Sequence, residues 1–429
     1  MSPAHKLANR IATEIEMRPE GWARYRLGEV AAFRNGLNYT RSDTGEAIKI
    51  VGVGDFKDRS QLESTDQLAT VRIAGALRED DLLRSGDLLF VRSNGNKELI
   101  GRCLFFSEVD ERLAFSGFTI RGRVNRSVLD PLFASYLMRS PMVLDQLFQG
   151  GTGTNISNLS QEILANVLIQ VPSLTEQRRI SAVLATWDAA IAKADQLLQR
   201  SLERRRGLTQ ELVLGRRRFP QFRAPWQQCS FSEVLKEVKR PVEWDDDYEY
   251  PLISVRRRSE GAFHRETRKG SEILTKKLNY AYGGEFLISK MQVVHGAMAV
   301  VPAELDGMFV SDSYLAFQSA REDIVDINFI GWLSTTPQMY KAVRRCSYGV
   351  HIEKMTFDLG MFLHEKLQVP AEITEQKLIC DVLESAQAEV DSAANHLELL
   401  KKEKAALMSN LLSGKRRVKQ HTSETESLT

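Results

Sequence analysis

Two segments of this 429-residue chain match each other at a constant separation of 199 residues. The first opens with Thr-Glu-Gln at 175–177 and closes with Gly215 and three arginines. The second opens with the same three residues at 374–376 and closes with Gly414, Lys, Arg and Arg. A Val-Pro pair precedes each opening, so we predict that a helix begins just afterwards, with the threonine as its N-cap. The repeat itself indicates a duplicated ancestral unit.

Apolar residues recur in both segments at alternating steps of four and three through nearly five heptads, which predicts two long helices that pair along an apolar seam. Arg205 and Lys404 interrupt the two seams at equivalent positions. Either segment alone is compatible with a surface helix on a single globule, whereas two matched copies favour a pair. The predicted seam residues are Ile180, Leu184, Trp187, Ile191, Leu198, Leu208 and Leu212 in the first segment and Ile379, Leu383, Val390, Leu397, Leu400, Leu407 and Leu411 in the second.

Weaker similarities relate the regions outside the helices. Trp22 corresponds to Trp226, and Gly-Asp-Leu-Leu-Phe at 86–90 corresponds to Gly-Glu-Phe-Leu-Ile at 284–288, each predicting a turn followed by a buried strand. The predicted segments are a globular domain at 1–174, a helix at 175–218, a second globular domain at 219–373, a second helix at 374–418, and a polar, disordered tail at 419–429.

The connections set the expected direction of the helices. The first helix enters the second globular domain almost at once, so the second helix can pair with it only by running back. We therefore predict an α+β fold in which two duplicated mixed α/β domains are separated by a long antiparallel two-helix coiled coil with approximate twofold symmetry. The 33 residues from Ile180 to Leu212 would form a rod of about 50 Å. Two domains at that spacing suit duplex DNA, whose turn is about 34 to 36 Å.

Overall charge does not identify a partner, because 58 lysines and arginines nearly balance 56 aspartates and glutamates. Local segments are more informative, since basic and amide side chains in loops are the types that contact phosphates and base edges. A solvated loop remains an alternative for each of them. The candidate DNA-binding residues are Arg92, Ser93, Asn94, Asn96 and Lys97 around Gly95, Thr154 and Asn155 in a glycine-rich stretch, and Arg256, Arg257, Arg258, Arg265, Lys269, Lys276 and Lys290.

Catalytic motifs are not evident. The sequence lacks a phosphate-binding GxxxxGK[ST] loop, a methyltransferase Pro-Pro tetrapeptide, a GxSxG elbow and an HExxH helix. Its four cysteines are far apart, which indicates neither a zinc site nor a disulfide framework. We therefore expect no catalytic residues, no metal and no cofactor. A hydrophobic content of 43% excludes a wholly disordered chain, and the lack of a long apolar stretch predicts a soluble, cytoplasmic protein.

This layout resembles the specificity subunit of type I restriction-modification systems. The residues that carry the resemblance are the helix openings at 171–191 and 369–390, their closings at 208–219 and 407–418, and the motifs at 22–30 and 85–102. The region 286–300 follows the family pattern only loosely. The resemblance implies a non-catalytic subunit whose two target-recognition domains bind an asymmetric bipartite site in double-stranded DNA.

The same resemblance implies partners. Two methyltransferase subunits would supply S-adenosylmethionine chemistry, two ATP-dependent restriction subunits would supply translocation and cleavage, and no membrane would be involved. Exposed apolar residues outside the seam, such as Leu197, would be available to a partner. The alternatives are a recognition chain of a related type II enzyme, an enzyme with an unrecognised site, and a coiled-coil scaffold that binds only proteins. Binding that weakens steeply with salt would separate the DNA-binding hypothesis from the scaffold.

Overall fold

The structure is a computed structural model that describes residues 19–40, 43–57, 59–150, 158–349, 351 and 355–418. The described chain forms two compact units. The first unit contains the residues up to Lys193 and those from Leu397 onward, and the second unit contains Ala194–His396. Each unit therefore includes part of both long helices.

The first unit is built of short strands and short helices, with most of its strands before residue 125. In chain order its elements are β1 Ala23–Arg26, α1 Leu27–Val30, β2 Ala31–Asn35, β3 Glu46–Val51, β4 Ala69–Ile73, β5 Leu88–Val91, β6 Cys103–Phe105, β7 Leu113–Phe115, β8 Thr119–Val124, α2 Pro131–Met138, α3 Pro141–Gly150, α4 Gln161–Asn166, β9 Leu168–Val171 and the long helix α5 Leu174–Leu212, which continues into the second unit.

The second unit follows the same plan. Its elements are β10 Gln227–Ser230, α6 Phe231–Val234, β11 Leu235–Val238, β12 Glu249–Val255, β13 Ala262–Lys269, β14 Leu278–Ala281, β15 Phe286–Ser289, β16 Met298–Val300, β17 Met308–Ser311, β18 Tyr314–Ser319, α7 Ile327–Leu333, α8 Pro337–Arg345, β19 Ser347–Tyr348, β20 Thr356–Phe357, α9 Leu359–His364, β21 Lys366–Val369 and the long helix α10 Ile373–Leu412, which ends in the first unit.

The larger sheets of the two units have equivalent strand orders, except that the second unit adds β14 at one edge. In the first unit the strand orders are β2-β8-β5-β6 and β4-β3-β7, and in the second they are β11-β18-β15-β16 and β13-β12-β17-β14. The only parallel pairs among the described strands are also equivalent, β3 with β7 and β12 with β17. The predicted α+β fold with two duplicated domains and two long helices is confirmed.

A buried carboxylate starts the central strand of each unit. Asp87 and Glu285 are both 1% exposed. Asp87 accepts hydrogen bonds from the Arg84 amide at 2.7 Å and from Arg123 Nη2 at 2.7 Å. Glu285 accepts them from the Tyr282 amide at 3.0 Å and from Arg240 Nη1 at 2.6 Å. These bonds fix the turn ahead of β5 and β15, whose residues are all buried, so the prediction of a turn followed by a buried strand is confirmed.

The long helices begin earlier than the sequence predicted. Helix α5 starts at Leu174, and the hydroxyl of Ser173 accepts a hydrogen bond from the Glu176 amide at 3.4 Å. Helix α10 starts at Ile373, so Thr374 lies within its first turn. The prediction of threonine N-caps was therefore wrong, because Leu174 and Ile373, the residues before the two threonines, are already helical.

The helices also end before the predicted 218 and 418. Gly215 and Gly414 adopt left-handed φ angles of 65° and 70°. The Arg217 amide donates to the Glu211 carbonyl at 2.9 Å, and the Arg416 amide donates to Asn410 at 3.1 Å. This geometry closes the last turn and prevents further helix. The basic residues beyond each glycine consequently lie outside the helix.

Each unit has an apolar core that includes the ends of both long helices. In the first unit Ile180 and Leu184 of α5 share a buried cluster with Leu411 of α10. In the second unit Leu212 of α5 shares one with Ile379 of α10. Inside each unit the start of one long helix therefore packs with the end of the other. None of the helices in the described part of the chain is both long and apolar enough to traverse a bilayer.

Candidate nucleic-acid interface

In the first unit, the end of β5 meets the start of β8. The two strands are antiparallel, with Val91 opposite Thr119. The Arg92 and Ser93 amides donate to the Phe118 carbonyl at 2.8 and 3.4 Å. Arg92 Nη1 also donates to the Gly117 carbonyl at 3.3 Å. We call residues 92–96 and 116–118 the first junction; it holds part of the polar loop that the sequence singled out.

Local hydrogen bonds fix the turn at 116–118. The Phe118 amide donates to Ser116 Oγ at 3.2 Å, and Thr119 Oγ1 donates to the Ser116 carbonyl at 2.6 Å. The Gly117 amide donates to the Leu37 carbonyl at 2.7 Å. Ser116 and Thr119 are buried, whereas Phe118 is exposed. The turn thus presents one side chain on a constrained backbone.

The loop after Arg92 contains two asparagine turns. Asn94 Oδ1 accepts from the Asn96 amide at 2.8 Å, and Asn96 Oδ1 accepts from the Glu98 amide at 3.0 Å. The oxygens therefore order the loop, and the amide NH₂ groups are the donors that could address a base or phosphate. Lys97 begins a short 3₁₀ turn at Lys97–Leu99, but its side chain lies outside the described set.

Just after the glycine-rich stretch in sequence, the Leu159 amide donates to the Arg92 carbonyl at 2.8 Å, so Leu159 adjoins the first junction. Thr154 and Asn155, two candidate DNA-binding residues, lie outside the described residues. Their proposed contact with phosphate stays a prediction.

The second unit builds an equivalent junction. Strand β15 is antiparallel to β18, with Ser289 opposite Tyr314, and the Lys290 amide donates to the Ser313 carbonyl at 2.9 Å. Lys290 thus occupies the position of Arg92. We call residues 290–296 and 311–313 the second junction. Asp312 lies within it, and a hydrogen bond from Lys239 lowers the pKa of this carboxyl below its ordinary value.

Three consecutive arginines lie next to the second junction. Arg256, Arg257 and Arg258 are all exposed. The adjoining Ser259 amide donates to the Gly296 carbonyl at 2.7 Å, and Ser259 Oγ lies 3.1 Å from the Ser334 carbonyl. The structure therefore brings the arginine turn and the Lys290 loop together.

This turn is strained. Arg258 and Ser259 have φ angles of 60° and 55°, a region that residues other than glycine seldom occupy. Such conformations cost on the order of 1 to 3 kcal/mol each and persist only when surrounding contacts hold them. The bonds from Ser259 to Gly296 and Ser334 provide that restraint. Arg256 is also placed by stacking, with Cζ 4.1 Å from the centre of the Phe263 ring.

The other predicted cations of the second unit form ion pairs. Lys269 pairs with Asp247 at 2.8 Å, and Lys276 with Asp246 at 2.6 Å. The hydrogen bond from Lys276 lowers the pKa of Asp246, with a further contribution from Trp244. Acidic residues thus offset these lysines locally.

Arg265 is likewise paired, with Glu266 at 2.8 Å. Hydrogen bonding from Arg268 is the main cause that lowers the pKa of Glu266. Arg265, Lys269 and Lys276 therefore each lie within hydrogen-bonding distance of a carboxylate. The sequence grouped all seven because it shows cations close along the chain, but it does not show that Lys269 and Lys276 meet aspartates 22 and 30 residues away.

All fourteen predicted seam residues are at least half-buried. The buried ones are Ile180, Leu184, Leu212, Ile379, Leu383, Val390, Leu397 and Leu411; the half-buried ones are Trp187, Ile191, Leu198, Leu208, Leu400 and Leu407. Leu197, expected outside the seam, is 54% exposed.

The repeated Glu-Gln pair joins each long helix to its surroundings within a unit. In the first unit Arg417 donates two hydrogen bonds to Glu176, at 2.6 and 2.7 Å. In the second unit Arg218 donates two to Glu375, at 2.9 and 2.7 Å. Since each number differs from its counterpart by 199, the duplication extends to these bidentate ion pairs.

The glutamine binds the adjacent globular region. Gln177 is fully buried; its Oε1 accepts from the Asp130 amide at 2.8 Å, and its Nε2 donates to the Val128 and Pro172 carbonyls, both at 2.9 Å. Gln376 makes the equivalent bonds to Asp326, Ile324 and Pro370. The sequence showed that this pair was repeated but not which distant backbone groups it would bind.

Sequence reasoning missed the exposed Phe118 and Met291 at the two junctions. The sequence signal that could have pointed to Phe118 is the Ser-Gly pair at 116–117, directly before a buried strand. Within the described residues, no group of three or more His, Cys, Asp or Glu side chains is placed to hold a metal ion. What the junctions offer is a set of cations, amides and hydroxyls on an ordered backbone.

The fold and the junctions define a class of protein in which one α+β unit is duplicated and diverged at the same strand ends. Residues 19–200 match the family model of the type I restriction modification DNA specificity domain. The predicted resemblance of the chain to the specificity subunits of type I restriction-modification systems is confirmed.

Two curated relatives carry the same description. A putative type I restriction enzyme MjaX specificity subunit of Methanocaldococcus jannaschii is 24% identical over 215 residues, which cover 48% of this chain and 49% of the relative. The type I restriction enzyme StySPI specificity subunit of Salmonella potsdam is 20% identical over 190 residues, covering 42% and 40%. The chain therefore spans about half of the length of the curated relatives it matches, or less.

Solved structures share the fold. The type I restriction-modification S subunit from M. genitalium is 13% identical, with a TM-score of 0.53 over 92% of this chain and 99% of that one. A chain from a study of complex assembly and conformational transition of the type I R-M system is 19% identical, with a TM-score of 0.57 over 93% and 99%. At these identities the likeness concerns the fold alone.

Proposed function

We propose that this chain is a sequence-specific DNA-binding subunit of a type I restriction-modification complex and that it recognises an asymmetric target with two half-sites. The observation that carries the proposal is the repeated junction, in which the first residue after a buried strand is a cation, Arg92 or Lys290, held by the same backbone bond. Base recognition depends on side chains at groove edges. Two junctions with the same backbone but different side chains are therefore suited to recognising two different DNA half-sites.

In this proposal the chain performs no reaction itself. Its partners are double-stranded DNA, two methyltransferase subunits and two restriction subunits, and exposed apolar residues such as Leu197 are available for docking. The globular regions within 1–174 and 219–373 are the target-recognition domains, and the long helices α5 and α10 are the helical segments.

The proposal is tested by selecting binding sites from random duplexes, with the full chain in complex with its methyltransferase partner. The expected outcome is an asymmetric consensus with two separate half-sites. Affinity for that consensus should fall steeply as salt rises, because each phosphate contact releases counterions. Binding that is indifferent to both sequence and salt would instead favour the protein-binding scaffold.

Single substitutions assign the half-sites. Arg92→Ala should weaken preference in one half-site, and Lys290→Ala in the other, each lowering the salt dependence by about one unit if the lost contact is to phosphate. Lys193→Ala, an exposed cation on α5, is the matched control. If both variants changed base preference in the same half-site, the proposal that each unit recognises its own half-site would be wrong.

A further inference from the structure

Each junction exposes one large apolar side chain. Phe118 in the first and Met291 in the second are both 63% exposed, although they adjoin backbone that is buried and hydrogen-bonded. Exposing a phenylalanine or methionine on ordered backbone forgoes the free energy of burying it. An isolated exposed apolar residue is common, but here the same feature occurs at equivalent junctions in both units.

The two residues come from opposite sides of the junction. Strand register places Phe118 immediately before β8 and Met291 two residues after β15. By that register Ser313 stands where the first unit has Phe118, and Ser93 stands where the second unit has Met291. Each junction thus combines one large apolar side chain with one serine, in exchanged positions.

A cation accompanies the apolar side chain in both cases. The Arg92 amide is bonded to the carbonyl of Phe118 itself, and Lys290 immediately precedes Met291. A cation can contact phosphate while a neighbouring apolar group contacts a base, including the thymine methyl group. A single side chain flanked by a cation and a hydroxyl is too small for an extended apolar protein interface, so duplex DNA is the better partner.

We propose that Phe118 and Met291 are specificity-determining residues that make van der Waals contact with base pairs, one in each half-site. This inference rests on the proposed DNA-binding function. The apolar side chain and the serine have exchanged positions between the two junctions. Two units with the same backbone arrangement would therefore contact different base pairs.

The test uses Phe118→Ala and Met291→Ala in the full chain with its methyltransferase partner. Each should weaken binding to the selected consensus by about tenfold and relax preference at positions in one half-site only. The salt dependence should stay as in the unmodified chain, because no phosphate contact is lost. Phe118→Leu, which keeps apolar bulk, should retain an intermediate affinity.

Matched controls are Phe148→Ala on α3 and Met361→Ala on α9, which are 47% and 51% exposed and lie outside the junctions. Both should leave the consensus and affinity unchanged. The inference is overturned if Phe118→Ala and Met291→Ala bind like the controls, or if their only effect is a smaller salt dependence. A selection that yields no consensus with the unmodified chain would overturn the proposed function as well, which keeps the two failures distinguishable.

Discussion

Lys404 of α10 donates a hydrogen bond to Asp188 of α5 inside the first unit. The positions related by 199 residues make the corresponding bond in the second unit, where Arg205 donates to Gln387. The acceptor is therefore a carboxylate in one copy and a neutral amide in the other. Asp188 also accepts from the Tyr136 hydroxyl at 2.6 Å, and burial together with this bond raises the pKa of Tyr136.

This difference predicts unequal costs for removing the cation. Lys404→Met should lower the free energy of unfolding by about 1 to 2 kcal/mol, because Asp188 is left as a half-buried charge, whereas Arg205→Met should cost about 0.5 to 1 kcal/mol. Urea unfolding measures both. Adding Asp188→Asn to Lys404→Met should recover most of the loss. Lys402→Met, an exposed control, should change the free energy of unfolding by less than about 0.5 kcal/mol. If Lys404→Met and Arg205→Met lowered it equally, the interpretation would be contradicted.

The buried glutamines predict a local effect on hydrogen exchange. Gln177→Leu leaves the Asp130 amide and two carbonyls without their partner, which should cost about 3 kcal/mol. Amide exchange at Asp130 should accelerate while that at Asp326, bound by Gln376, stays unchanged. The exposed Gln199→Leu on the same helix is the control. Equal acceleration at both aspartates would show that the two contacts are not independent.

Substituting alanine for two glycines near the end of α5 should change the stability of the protein in opposite directions. Gly207 is helical, and an added Cβ would have no atom within 4 Å, so Gly207→Ala should stabilise the protein by about 0.5 to 1 kcal/mol. Gly215 has a φ of 65°, and its added Cβ would lie 3.2 Å from the Trp226 ring. Gly215→Ala should therefore destabilise by about 1 to 2 kcal/mol. Thermal unfolding tests the signs, and a stabilising Gly215→Ala would be inconsistent with this turn.

Cys103 predicts a pH dependence at alkaline pH. Burial raises the pKa of this thiol from 9.0 to about 12, so the unfolded chain ionises first. Its contribution to stability is complete below about pH 9 and is lost as the pH rises toward 12. The stability advantage over Cys103→Ala should shrink by about 1 kcal/mol between pH 8 and pH 10. Val143→Ala, in the same core, is the control and should lower the free energy of unfolding by the same amount across that range. If the effect of Cys103→Ala were equally constant, the interpretation that the thiol ionises more readily in the unfolded chain would be wrong.

Much of the architecture was predictable because it is encoded locally. Heptad spacing specifies a helix and its apolar face without knowledge of the rest of the chain, and the turn before Leu88 or Phe286 is marked by a glycine and an acid. The caps were harder to predict. Whether Ser173 or Thr175 caps α5 depends on the path of the preceding chain, which the sequence pattern does not fix.

The candidate site was predictable only in part. The polar loop at 92–97 was found from its residue types, and Lys290 from its place in a basic stretch. The pairing of Lys269 with Asp247, however, joins residues 22 apart, and the bond from Ser259 to Gly296 joins residues 37 apart. Such contacts depend on the register in which the strands pair, which the local sequence does not specify.

By itself, therefore, the sequence determined the duplication, which follows from comparing two segments 199 residues apart. It also determined the two long helices and the central strands, which follow from residues close together in the chain. The tertiary structure alone decided which carboxylates pair with Lys269 and Lys276, which backbone amide each buried glutamine binds, and that Phe118 and Met291 are exposed at equivalent junctions. The physical reason is that exposure and pairing depend on segments remote in sequence, whose meeting is fixed by the packing of the whole unit.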